Sequence, residues 1–411
     1  MYTLLNNEQN NNALAKISPE KNLSDEQLTL QNKVEEFCKK YIVQGQAVFI
    51  IEGNAGTGKS LVLNKIFNTL QKQARDKNGA SVLQGTQNYL VVNHPEMMKL
   101  YKNSAGKFPY LKQKDFERPT TFINRMHKEG KKADILLIDE AHLLLTRPDN
   151  YNRFTQENQL EELLKLARVV VLVFDEKQTL KFKSYWSKSL LNTIAAKYSV
   201  QTYHLKQQFR MHAGADIQCW IEEFCQKKIL PMPQKQLFDF KFFDDAQNLY
   251  ETLKEKNALY GLSRLVATYD YPYTLDGQDH FITEGRFHLR WDRSKPQEKL
   301  PWAERPDTID EVGSVYTVQG FDLNYVGVIL GPSVLYNAST DGLRLDPARY
   351  EDSAAFAGRG GLLEPEQAKE RIMLNALNVL LTRAVRGLYI YAHDPALRAR
   401  LMALQAKAVL T

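Results

Sequence analysis

Eight consecutive residues, Gly53-Asn54-Ala55-Gly56-Thr57-Gly58-Lys59-Ser60, meet every fixed position of the pattern GxxxxGK[ST]. Glycines at these places let the backbone turn so that successive N–H groups face one anion, and a helix opening behind them adds its positive end. Lys59 would reach the β- and γ-phosphates of a nucleotide, and the Ser60 hydroxyl would ligate Mg²⁺. A second set stands in Ile135-Leu136-Leu137-Ile138-Asp139-Glu140-Ala141-His142, where four apolar residues are followed by two carboxylates. Asp139 would hold the Mg²⁺ shell and Glu140 would polarise an attacking water. An acidic pair after a strand is more often a helix cap. Its place downstream of a phosphate loop turns the reading toward hydrolysis of ATP.

Chemistry of this kind needs a strand on one side of the loop and a helix on the other. The run Ala47–Ile51 precedes the loop and the amphipathic stretch LVLNKIFNTL follows it. Further short apolar runs at Tyr89–Val92, Ile135–Ile138 and Val169–Phe174 alternate with helical stretches, the pattern of parallel strands buried on both faces. A second series, Val200–Leu205, Leu265–Thr268, Val326–Leu330 and Leu388–Tyr391, repeats the theme. The 411 residues therefore read as two successive α/β domains, 25–198 and 199–411, after a polar, Asn-rich start at 1–24. The stretch 271–310 reads as a hairpin-like insertion and 334–369 as a long surface loop.

Composition narrows the setting. A net charge of +6 suits a polyanionic partner without requiring one. Cys38, Cys219 and Cys225 have neither zinc-ligand spacing nor an even count, so reduced thiols and a cytoplasmic location are expected. The start MYTLLNNEQNNN has no basic region followed by an apolar stretch, and no run approaches a membrane span, so neither a secretory leader nor a membrane contact is expected.

The remaining motifs carry a resemblance. The string DEAH invites comparison with the superfamily 2 helicases of that name, but their Ser-Ala-Thr and QRxGRxGR motifs are absent. Instead, Val173-Phe174-Asp175-Glu176-Lys177-Gln178 resembles motif III of superfamily 1 helicases, and His204-Leu205-Lys206-Gln207-Gln208-Phe209-Arg210 resembles motif IV. Ser314–Asp322, SVYTVQGFD, is similar to motif V, and Val379-Leu380-Leu381-Thr382-Arg383-Ala384 to motif VI. The strings QQFRMHAGADIQCWIEEF, VYTVQGFDLNYVGVILG and NVLLTRAVRGLYIYA look like the DNA/RNA helicase domain of the Schlafen group 3 type.

That resemblance implies an α/β P-loop NTPase with two tandem RecA-like domains and parallel sheets, the superfamily 1 helicase core. Gln178 is then the γ-phosphate sensor, and Arg210 and Arg383 are arginine fingers supplied by the second lobe. Arg386 is a weaker candidate. Either Gln27 or Gln31 contacts adenine, and Asp322 lies near the ribose or at the lobe interface. Thr317 and Gln319 in motif V are carried as nucleic-acid contacts.

Two lysine-aromatic stretches, Tyr101–Lys114 and Lys181–Lys188, read as parts of a track for single-stranded DNA or RNA. Tyr185 and Trp186 would stack on bases, although Phe182 and Trp186 at i and i+4 would equally form the buried face of a helix. Thr121 and Phe122 match the strand-contacting Thr-Phe motif, or Thr121 caps a helix. The expected function is an ATP-dependent translocase or helicase-like motor. The alternative is an ATP-gated switch or adaptor that controls a protein partner, such as a nuclease, without unwinding.

Overall fold

The computed structural model describes residues 17–208, 211–234, 237–274, 276, 278–292, 297–358 and 364–410. The chain divides into two compact units, Ala13–Gln208 and Phe209–Thr411. The first is built on six strands: β1 Ala47–Gly53, β2 Asn88–Val92, β3 Phe116–Glu117, β4 Ala133–Asp139, β5 Ala167–Phe174 and β6 Ser199–Leu205. They are ordered β3-β2-β4-β5-β1-β6, and every pair is parallel. Helices α1 Asp25–Gln44, α2 Lys59–Arg75, α3 Pro95–Ala105, α4 Pro119–Glu129, α5 Gln159–Lys165 and α6 Lys188–Ala195 accompany the sheet.

Local chemistry explains several boundaries. Ser24 opens α1 with a reciprocal capping box to Gln27. His94 caps α3 through its Nδ1, with Pro95 at the first helical position. The continuous apolar runs of β1, β4 and β5 are buried on both faces, as a covered parallel sheet requires.

One strand departs from the sequence reading. Ser199–Leu205 was expected to open the second domain, yet it pairs along its whole length with β1, from Ala47↔Ser199 to Gly53↔Leu205. Five of its seven residues are exposed, Tyr203 is half-buried and Leu205 is buried, as befits an edge strand. An edge strand lacks the double-sided apolar signature that ties the others to their sheet, so its partner is decided by pairing over a long sequence distance.

The second unit contains β7 Asp239–Phe243, β8 Ser263–Ala267, β9 His280–Glu284, β10 Phe287–Trp291, β11 Glu311–Gly313, β12 Leu323–Leu330, β13 Val334–Asn337, β14 Gly342–Leu345 and β15 Ala384–Ala392. Seven of these form a sheet ordered β7-β15-β12-β8-β11-β10-β9, parallel except for the β9–β10 hairpin. Its helices are α7 Ala215–Phe224, α8 Ala246–Tyr260, α9 Val315–Val318, α10 Pro365–Leu381 and α11 Pro395–Leu410. Within 271–310, the hairpin joins the sheet through β10, which lies parallel to β11. The stretch 334–369 is not the long loop expected. It holds the β13–β14 hairpin and the start of α10, and it buries Leu343, Tyr350 and Ala355. Its few apolar anchors are scattered through Gly-, Asp- and Ala-rich sequence, so no periodic pattern marks them.

Candidate functional site

In the first sheet, the C-terminal ends of β1, β5 and β4 are neighbours, which gathers three separate sequence motifs at one edge. The loop after β1 turns through Gly56 at φ +86° and Gly58 at φ +77°, conformations that a side chain rarely adopts. Gly53 has no room for one either, since a Cβ there would lie 2.9 Å from Thr57 Oγ1 and 3.0 Å from the Leu205 carbonyl. Lys59 opens α2, and its ammonium donates to the carbonyls of Gly53 (2.6 Å) and Asn54 (2.8 Å). It also meets Asp175 Oδ2 at 3.2 Å.

Asp175 stands just beyond β5 and organises this corner. Its carboxylate accepts from the Gln178 amide at 2.7 Å and from the Lys177 N–H at 3.2 Å. Burial alone would raise its pKa, but the Lys59 ammonium, His142 and the Gln178 amide outweigh that and hold it below the usual carboxylate range. Lys59, Asp175 and Gln178 thus form one connected polar chain.

Asp139 ends β4 and is fully buried. Ser60 Oγ donates to its Oδ1 at 3.3 Å, and the Tyr101 hydroxyl to its Oδ2 at 2.6 Å. Burial, with the Glu140 charge next to it, raises Asp139 to about 6, against hydrogen bonds that favour the charged form. Burial and the same carboxylate push the Tyr101 hydroxyl well above its ordinary range. Glu140 follows at φ +50°, ψ +51°, a left-handed backbone that a branched or long side chain adopts only where its surroundings impose it. His142 is wholly buried, with Nε2 3.2 Å from Glu140 Oε2.

The two candidate glutamines separate cleanly. Gln27 donates to the Thr57 carbonyl at 3.1 Å, and a Cβ on Gly58 would lie only 2.5 Å from its Nε2. Gln31 bonds Glu35 at 2.8 Å and Thr69 at 3.3 Å, away from the loop.

Residues 46–394 match the family model of the Schlafen group 3 DNA/RNA helicase domain. The chain belongs to this family. A curated relative, the uncharacterized protein YPL245W of Saccharomyces cerevisiae, is 45% identical over 411 residues, covering 92% of this chain and 90% of that protein. Among solved structures, the chain is similar to the Pif1 helicase from Candida albicans, at TM-score 0.34 and 11% identity over 95% of this chain and 100% of that one. It is also similar to a DEAD box protein from Methanococcus jannaschii, at TM-score 0.33 and 12% identity over 95% and 97%. At such scores the strand order, not the superposition, carries the fold.

This Schlafen group 3 helicase domain is thus a helicase-like P-loop fold, and its first unit assembles Gln27, the loop Gly53–Ser60, Asp139, Glu140 and Gln178. Ser60 and Asp139 offer a hydroxyl and a carboxylate oxygen side by side, a hard-oxygen donor set that fits Mg²⁺. Other candidates lie in the second unit. Arg383 is buried at the end of α10, where its Nε donates to the Val379 carbonyl at 2.8 Å. Arg386 lies 5.0 Å from the Tyr260 ring. Asp322 is half-buried between α9 and β12, and Gln319 is buried. The Thr317 hydroxyl is engaged in capping α9 through Ser314. Arg210 lies outside the described residues.

Several of the aromatic expectations fail. Trp186 is 1% exposed, packs on Phe174, and donates its indole N–H to the Leu144 carbonyl at 2.7 Å. Phe122 is fully buried in the same core. Neither can stack on a base while that core is intact. Thr121 is exposed but is no cap, because Arg118 takes that place and the helix starts at Pro119. Tyr185 is half-buried against Phe182. Tyr101, read as part of a nucleic-acid track, instead supports Asp139. Asp175, His142 and Tyr101 were missed as site residues. Asp175 alone had a signal, its place at the end of an apolar strand.

Proposed function

We propose that the chain is an ATPase that couples hydrolysis to movement along, or remodelling of, single-stranded DNA or RNA. The observation that supports this best is the connected chain Lys59–Asp175–Gln178 beside the Ser60–Asp139 pair, at the end of adjacent strands. The loop amides and Lys59 would hold the β- and γ-phosphates. Ser60 and Asp139 would hold Mg²⁺, which when bound offsets phosphate charge. Glu140 would polarise the attacking water, with His142 keeping its carboxylate in place. Gln178, tied to the same Asp175 as Lys59, is suited to report the terminal phosphate to the rest of the unit. Gln27, seated on the loop, is the glutamine suited to the adenine side of the pocket. Arg383 and Arg210 are the finger candidates of the second unit. Among the described residues no helix is long and apolar enough to cross a membrane.

The decisive measurement is ATP turnover across a panel of single- and double-stranded DNA and RNA. A single-stranded polymer is expected to raise turnover at least several-fold. If none does so, while ATP governs binding to a protein partner, the motor reading gives way to that of a switch.

A further inference from the structure

The first unit carries a second polar concavity at the far end of its sheet, a groove of about 780 Å³ beside the starts of β2 and β3. Arg75, in its wall, ends α2, while Lys59 begins it, so at ~1.5 Å per residue the groove stands about 24 Å from the phosphate loop. Asn88, also in the wall, begins β2, whose other end, Val92, is level with Asp139.

Charge in this groove is lopsided. Its two acids are each taken by an arginine, Asp115 by Arg75 at 2.7 and 2.9 Å, and Glu117 by Arg125 at 3.1 and 3.2 Å. Lys102, Lys112 and Lys114 also line it and are exposed, and among the described residues none of their ammonium groups has an acidic partner. Lysines on a solvated helix face diverge, whereas these converge on one hollow. One further feature suits a base. The Tyr89 ring is partly exposed, with the Arg125 guanidinium 5.0 Å from its centroid.

We propose that this groove binds a single-stranded polynucleotide at a site separate from the ATP pocket. Lys102, Lys112 and Lys114 meet neighbouring phosphates, and Tyr89 meets a base. The choice of ligand rests on the motor reading above. An acidic peptide would use the lysines but would leave the aromatic wall without a purpose. The volume is within the ~300–1,000 Å³ range of sites that enclose a ligand of nucleotide size. The groove is also joined to the catalytic corner. Phe116, in its wall, stacks on Tyr101 at 5.6 Å and 14°, and Tyr101 is the residue bonded to Asp139 and the neighbour of Lys102.

The test is fluorescence anisotropy of labelled 20-nucleotide oligo-U and oligo-dT on the full chain through a KCl series. The variant Lys102→Ala/Lys112→Ala/Lys114→Ala is expected to bind at least ~10-fold more weakly. Its log-log salt slope should fall by about 2, three contacts at ~0.7 each. Tyr89→Leu should weaken binding at least ~5-fold with the salt slope unchanged, a split that loss of a phosphate contact would not show. If wild type binds and the triple variant matches it in affinity and slope, the groove is wrong and the motor reading stands. Displacement of the oligonucleotide by polyglutamate, with Tyr89→Leu without effect, would assign the groove to an acidic protein and overturn the proposal. A wild type that binds neither oligonucleotide overturns the motor reading and the groove together.

Discussion

At the C-terminal edge of the first sheet, Asp175 follows β5 and meets the Lys59 ammonium at 3.2 Å. At the C-terminal edge of the second, Asp270 and Asp292 follow β8 and β10 and meet hydroxyls and amides instead. Asp270 accepts from Thr268 Oγ1 at 2.8 Å and from the Ser333 N–H at 3.0 Å. All three acids are buried. Burial raises Asp270 to about 6 and Asp292 to about 7, in the latter with help from Glu311 and Asp352, whereas the cation keeps Asp175 below its ordinary range. Neutral donors do not replace a charge: the same strand-end position holds a fixed anion in one unit and an acid that keeps its proton toward neutrality in the other. The fixed anion in turn holds the lysine and glutamine of the candidate site.

The largest way to break this contrast is to remove the cation. Lys59→Ala is expected to lower ATP turnover at least ~100-fold. It should also destabilise the first unit by about 3–5 kcal/mol, because Asp175 is left buried without its partner. Urea unfolding of Lys59→Ala/Asp175→Asn should recover most of that loss while turnover stays low. A double variant as unstable as the single one would show that the pair is not what holds the corner.

The second effect is one of pH. Asp292 titrates near 7 in the folded chain and near ~3.9 unfolded, so the folded state binds more protons between those values. The wild type should therefore lose stability as pH rises from about 4 to about 7, and Asp292→Asn should lose less. The two should match near pH 4, with the variant the more stable near pH 8. Parallel urea midpoints across that range would remove the difference drawn between the two edges.

The smallest is Tyr101→Phe. It deletes the hydroxyl on Asp139 and keeps the ring stacked on Phe116, so stability should change by about 1 kcal/mol. Turnover should fall ~3–10-fold, about what one charge-assisted hydrogen bond to an active carboxylate supplies. Unchanged turnover at every Mg²⁺ concentration would make Tyr101 a packing residue only.

Much of the candidate site is legible because its parts are local. A glycine loop between strand and helix, and an acid after four apolar residues, state their own geometry within ten residues or so. Gln27 and Gln31 show where that ends. They lie one helical turn apart on α1, and only the packing of α1 against the loop turns one of them toward Thr57. Trp186 and Phe122 show the reverse error. An aromatic near lysines looks like a stacking platform in one dimension, and it is a core residue once β5 and its neighbours close over it. Tyr101 and Asp139 are 38 residues apart, and no pattern in the chain links them.

The sequence by itself determined the α/β alternation, the phosphate loop with its lysine and serine, and the carboxylates of Asp139 and Glu140. Each depends on residue type and short spacing, through backbone freedom at glycine, apolar periodicity and the charge at strand ends. Only the tertiary structure decided that β6 belongs beside β1, that Asp175 joins Lys59 to Gln178, and that Tyr101 stands on Asp139. Those are contacts between segments far apart in the chain. Their energy comes from desolvated pairs that exist only after the sheet has brought its strand ends together.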